Sequence, residues 1–168
     1  TTRRVGVMGI SVGVDIGGTK ILAGIVNDQG QILSKVRKKT PRADASAVLE
    51  VVGEVISETI ANVDASIAGI GVGVAGPVDA TSSTVLYAPN LQWADVPVAA
   101  LLENVTGLPV LVENDGSAAA WGEARFGGGK GFQDVVTVTI GTGIGGGIVL
   151  GGELFRGSHG AAGEIGHM

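Results

Sequence analysis

Four short segments hold residue types able to bind or transfer charged groups. In Asp15-Ile-Gly-Gly-Thr-Lys20 a carboxylate ends an apolar run, and two glycines, a hydroxyl and a cation follow. Glycines in such a turn can adopt φ > 0 and aim successive N–H groups at an anion. The segment also reads as a plain Gly-Gly hairpin. Gly141-Thr-Gly-Ile-Gly-Gly-Gly147 repeats the idea with more glycine than a turn needs, so a backbone or a ligand is expected to approach closely. Two such hairpins could grip a polyphosphate from both sides. Glu113-Asn-Asp115 joins an apolar run to a helical one. Asp is a favoured N-cap there, and a helix N-terminus also favours the ionised carboxylate that a general base must be. Gly163-Glu-Ile-Gly-His167 places a Glu and a His three apart, a spacing that could bridge neighbouring hydroxyls.

The elements that must position these residues follow from the hydrophobic pattern. Residues 10–15 and 20–26 read as an antiparallel pair across Gly17-Gly18, and residues 31–39 as a third strand. Residues 44–62 have helical spacing, from Val48 to Ile60, with Asp44 or Ser46 as the cap. Strands are expected at 67–74 and 110–112, helices at 97–105 and 116–125, and a second hairpin at 135–140 and 144–150. Asn90 and Trp93 could line a site or pack a turn, and packing is the expectation for Trp93. A three-stranded meander followed by alternating helices and strands is not a doubly wound sheet. It is the opening of the actin-like ATPase (ribonuclease-H-like) α/β fold. Residues 1–126 form its N-terminal lobe, and residues 127–168 the opening hairpin of a second lobe, with the boundary at the glycine-rich stretch 127–131.

Composition removes several alternatives. A net charge of −5 leaves no basic stripe for a nucleic-acid backbone. Without Cys there is neither a disulfide framework nor a thiolate metal cluster, which is compatible with a cytoplasmic protein. Residues 135–152 carry no charge, but seven of them are Gly, so two strands around a turn are expected rather than a membrane span. Gly71-Val-Gly-Val-Ala-Gly76 and Gly141-Thr-Gly-Ile-Gly-Gly146 match the dinucleotide pattern, yet neither opens a helix, as that chemistry requires. Lys130 is followed by Gly131, so there is no Walker A loop either.

The same segments, in order, resemble the ROK family of repressors and sugar kinases. The resemblance also takes in Gly73-Val-Ala-Gly-Pro-Val-Asp79, Ala88-Pro-Asn-Leu91, Ala118-Ala-Ala-Trp-Gly-Glu123 and Gly160-Ala-Ala-Gly163. It covers nearly the whole chain and is nearest to the bacterial glucokinases of the family. It implies transfer of the ATP γ-phosphoryl to the 6-hydroxyl of glucose. By position, Asp15, Gly17, Gly18, Thr19 and Lys20, with Gly141, Thr142, Gly143, Gly145, Gly146 and Gly147, would hold ATP, with Asp15 near Mg2+. Asp115 would be the general base. Gly76, Asn114, Asp115, Glu164 and His167 would bind the sugar. In many members a His matching His167 also ligates Zn2+ with three cysteines.

Two departures bear on these roles. Gly116 and Ser117 stand where the family usually has Ala and Asn, and Gly116 is expected to weaken the helix under the base by up to about 1 kcal/mol. The chain also stops at Met168, ahead of the family's cysteine element and adenosine pocket. A C-terminally truncated kinase, inactive by itself, is therefore expected. Its partners would be ATP and a hexose, with neither nucleic acid nor membrane, and the full-length form could be a homo-oligomer. The alternative is a sugar-binding regulator of the repressor type or a non-catalytic fragment. Only nine residues precede Ile10, which argues against a helix-turn-helix ahead of the first strand.

Overall fold

A computed structural model describes residues 9–61, 63–141, 143–158 and 160–167, with the side chain of His167 outside the described set. Five strands form the main sheet: β1 (Ile10–Ile16), β2 (Lys20–Val26), β3 (Ile32–Lys39), β4 (Ile67–Val74) and β7 (Val110–Asn114). Their order is β3-β2-β1-β4-β7, with β1, β2 and β3 antiparallel and β4 and β7 parallel to β1. This is the meander and crossover order expected of the ribonuclease-H-like unit.

Alternation along the strands explains the layering. Val12, Val14 and Ile16 are buried on one face of β1, as are Ile21, Ala23 and Ile25 on β2 and Ile70, Val72 and Val74 on β4. Helices α1 (Ala45–Ile60) and α2 (Val98–Thr106) cover that face, α1 through Val48, Val52, Val55 and Ile56. Each such side chain contributes about 1.5–3 kcal/mol relative to exposure. Asp44 caps α1 by accepting from Ala47 N at 2.9 Å, so the cap is Asp44 rather than Ser46.

The sequence does not reveal the excursion between β4 and α2. There β5 (Val85–Ala88) and β6 (Trp93–Val96) pair around a 3-10 turn at Pro89–Leu91. Trp93 is fully buried, as expected for a packing residue, though its Nε1 has no partner among the described residues. The loop ahead of β5 is knotted on Asp79. Its Oδ1 accepts from Ser83 N and Thr84 N, and its Oδ2 accepts from Thr81 Oγ1 and Ser83 Oγ. Desolvation pushes this carboxyl up, but those four bonds outweigh it and hold it well below the ordinary carboxylate range.

Helix α3 (Asp115–Phe126) follows β7 directly. On it packs a second sheet of order β10-β9-β8, made of β8 (Val135–Ile140), β9 (Ile144–Leu150) and β10 (Glu153–Phe155). The uncharged stretch is thus a hairpin, and among the described residues no helix is long and apolar enough to cross a membrane. Strand β10, absent from the sequence reading, turns the expected two-stranded ribbon into a three-stranded sheet with a helix against it, an arrangement better able to be stable. The glycine stretch 127–131 is no slack linker: Gly127 N and Gly129 N donate to Glu123 O, and Gly128 N donates to Glu123 Oε2.

Candidate functional site

The C-terminal ends of the parallel strands β1, β4 and β7 meet at one edge of the sheet. In register there, Asp15 pairs with Gly73, and Gly73 with Glu113. Gly73 has no side chain, and a Cβ placed on it would lie 3.8 Å from the Asp115 Cα. Asp15 and Asp115 therefore share one open space, the end of a cleft of about 840 Å³ between the second face of the sheet, α3 and β10. Both side chains are exposed to it. Desolvation on the cleft floor pushes the Asp15 carboxyl above the ordinary carboxylate range; the Lys20 ammonium opposes this, and the Asp115 carboxylate adds to it.

The loop after β1 is tied at its carbonyls. Thr40 Oγ1 donates to Gly17 O at 2.6 Å, and Thr40 N donates to Thr19 O at 3.1 Å. Neither Gly17 nor Gly18 has a positive φ, so the left-handed freedom considered for them is not used. Gly18 is needed for space instead: a Cβ there would come within 3.2 Å of the Asn90 Cβ and carbonyl. Asn90 thus props the loop, and Thr40 anchors it. Neither role had a local signal, since each partner is remote in sequence.

Asn114, 6% exposed, is the hub of the site. Its Oδ1 accepts from Ser117 N at 3.0 Å, which makes Asn114 the N-cap of α3. Its Nδ2 donates to Glu164 Oε1 at 3.0 Å and to Gly76 O at 3.3 Å. The expected cap, Asp115, is instead the first residue of the helix, accepting from Gly116 N at 2.9 Å. The capping duty falls one residue earlier and leaves the Asp115 side chain facing the cleft. Gly76 sits at φ +146, where a Cβ would collide with the Tyr87 carbonyl, so only glycine fits. Gly76, Asn114 and Glu164 are thereby brought together. Thr142 and the side chain of His167 lie outside the described residues.

In the second hairpin the glycines divide. A Cβ on Gly141 or Gly143 would meet nothing within 4 Å. On Gly147 it would lie 2.6 Å from the Ala120 Cβ and 2.8 Å from Gly116 O, and on Gly146 it would lie 2.8 Å from Gly163 O. On Gly145 it would meet Thr139 Oγ1 at 2.8 Å. Gly116 belongs to the same contact, since a Cβ there would sit 2.6 Å from Gly146 O. The cost expected from Gly116 is thus set against a gain in packing: α3 and β9 touch backbone to backbone, which Ala would prevent.

Two carboxylates facing one cleft, one with its pKa raised by desolvation, suit a divalent cation that also binds phosphate oxygens. These 168 residues do not supply a zinc ligand set by themselves: they include no Cys, and among the described residues no three His, Cys, Asp or Glu side chains converge.

The comparisons establish the family and the fold. The ROK family model matches residues 11–168. A glucokinase of Streptomyces coelicolor is 47% identical over 96% of this chain and 50% of its own length. A putative xylose repressor of Caldicellulosiruptor is 39% identical over 96% of this chain and 41% of its own length. The crystal structure of a ROK family glucokinase from Streptomyces griseus, in complex with glucose and AMPPNP, superposes with a TM-score of 0.88. It is 46% identical over 95% of this chain and 50% of that one. The chain spans about half the length of the glucokinases it matches. The sheet order is that of an actin-like ATPase fold, and with a family match from residue 11 to residue 168 the chain belongs to the ROK family.

Proposed function

We propose that the protein containing this chain is an ATP-dependent hexose kinase that phosphorylates the 6-hydroxyl of glucose. The observation that carries the reading is Asp115, exposed in the cleft beside Asp15 and one residue from the Asn114–Glu164 pair. Asn114, Glu164, Gly76 and His167 bind sugar hydroxyls and aim the 6-hydroxyl at the phosphate. Asp115 accepts its proton as the oxygen attacks the γ-phosphorus and ADP leaves. Lys20, Thr19 and the backbone of Gly17 and Gly18 face the phosphates from one side, with Gly141, Thr142 and Gly143 at the tip of the second hairpin on the other; Gly145, Gly146 and Gly147, expected to join them, are taken up by packing within β9. Asp15 would stand near Mg2+, which when bound neutralises phosphate charge, and Asp115 stays free to act as the base. Chemistry of this kind is mostly positioning and charge neutralisation.

In the full-length protein, Asp115→Asn should lower kcat by ~10²–10⁴-fold with sugar binding retained, because the helix cap is Asn114 and stays in place. A loss below tenfold would remove Asp115 from the role of base. The 168 residues alone are expected to give no glucose 6-phosphate in a coupled assay; turnover by them would place the whole catalytic apparatus in this half. The 39% identity to a putative xylose repressor supports a second reading, a sugar-binding regulator. Both readings require sugar binding, and only the first requires sugar-dependent ATP consumption, so measuring both on one preparation separates them.

A further inference from the structure

Glu113 and Asn114 are adjacent on β7, and each holds a different end of one loop of the second sheet. Glu113 Oε2 accepts from Arg156 Nε at 2.7 Å and from Arg156 Nη2 at 2.6 Å. Asn114 Nδ2 donates to Glu164. The other Glu113 oxygen, Oε1, accepts from the backbone N–H of Asn114 at 3.0 Å. One carboxylate therefore touches both the start of the loop and the peptide of the residue that meets its other end.

Between these two ends the loop closes on itself. Ala162 N donates to Arg156 O at 3.1 Å, and Glu164 N donates to Ala161 O at 3.3 Å. Gly157 and Gly163, at φ +69 and +93, make the bends. Gly163 lies so close to Gly147 that a Cβ on it would be 2.8 Å from the Gly147 Cα. The loop is thus seated on β9, and the Arg156 fork joins its base to β7. The Glu113 side chain is 19% exposed and that of Arg156 44%, so the pair is only partly screened. A planar guanidinium gripping one carboxylate oxygen through two N–H groups fixes direction as well as distance, which a Lys ammonium cannot do equally well.

We propose that Glu113 and Arg156 are a positioning pair, which sets where Glu164 stands relative to Asn114 and Asp115 and so tunes sugar affinity without touching the sugar. This rests on the reading of Asn114 and Glu164 as sugar-binding residues. The pair lies 43 residues apart in sequence and joins the two sheets across the cleft.

The test uses the full-length protein with Glu113→Gln, Arg156→Gln, the double variant and Arg156→Lys. Glucose binding is measured by calorimetry, ATP KM by steady-state kinetics, and the exchange of individual backbone amides by NMR or mass spectrometry. Each Gln variant should weaken glucose binding about fivefold, and the double variant should be no worse than the poorer single, since partners in one interaction are not additive. Arg156→Lys should recover part of the loss. ATP KM should stay within about twofold, which separates positioning from a change in field: glucose is neutral, and a lost cation acting through its field would affect the anionic nucleotide instead. Exchange should quicken at Ala162 and Glu164 and not in β1 or β4. Unchanged glucose affinity, additive losses, or unchanged exchange at Ala162 and Glu164 would overturn the proposal. Should Arg156→Gln fail to fold, the same readouts on Arg156→Lys decide. If the parent protein binds no glucose, the kinase reading fails, and amide exchange, which needs no sugar, still decides whether the pair positions the loop.

Discussion

The two glycine-rich hairpins look alike in sequence and do different physical work. In the hairpin between β1 and β2 both glycines lie in the turn, and Gly18 makes room for Asn90. In the hairpin between β8 and β9 only Gly141 and Gly143 lie at the open tip. Gly145, Gly146 and Gly147 lie within the strand, where they let α3, Thr139 and the loop before Ile165 approach the backbone of β9. Bare backbone at a tip leaves space for a ligand; bare backbone in a strand is consumed by packing. Counting glycines cannot tell these uses apart.

The largest effect should come from filling a packed position. Gly147→Ala places a methyl against Ala120 and the Gly116 carbonyl. It should cost about 2 kcal/mol and lower the melting temperature by roughly 5 °C or more. An unchanged melting temperature would erase the distinction between strand and tip glycines. The matched substitution at the tip, Gly143→Ala, enters open space. It should change stability by less than about 0.5 kcal/mol, while ATP KM rises. Unchanged ATP KM would leave the second hairpin without a part in phosphate binding.

An intermediate effect on stability concerns a loop shaped by side-chain bonds rather than by glycine. Asp79 holds Thr81, Ser83 and Thr84 only as a carboxylate. Its pKa is lower folded than unfolded, so its stabilisation is fully present above the unfolded value of about 4 and is lost as pH falls below it. Asp79→Asn should cost about 1 kcal/mol at neutral pH and should flatten the acid limb of the stability curve. A variant with the parent's acid limb would assign that limb to other carboxylates.

Much of the fold was legible because β1, β2, β4 and α1 state their buried faces by period, and a period survives without knowledge of any partner. Asp15, Asn114, Asp115 and Glu164 were likewise visible as residue types beside glycines and strand ends. The hairpin of β5 and β6 and the short strand β10 were not, since three or four residues are too few to show a period. Nor could the chain order reveal that Asn114 rather than Asp115 caps α3, because neighbouring Asn and Asp are both good caps and only the backbone angle at the junction selects one. The Thr40 anchor, the Asn90 prop and the Glu113–Arg156 fork depend on distances between segments remote in sequence. Local sequence determined which residues could do chemistry. Tertiary packing decided which of them face the cleft, because hydrogen bonds and steric contacts act over a few ångströms of space, whatever the separation along the chain.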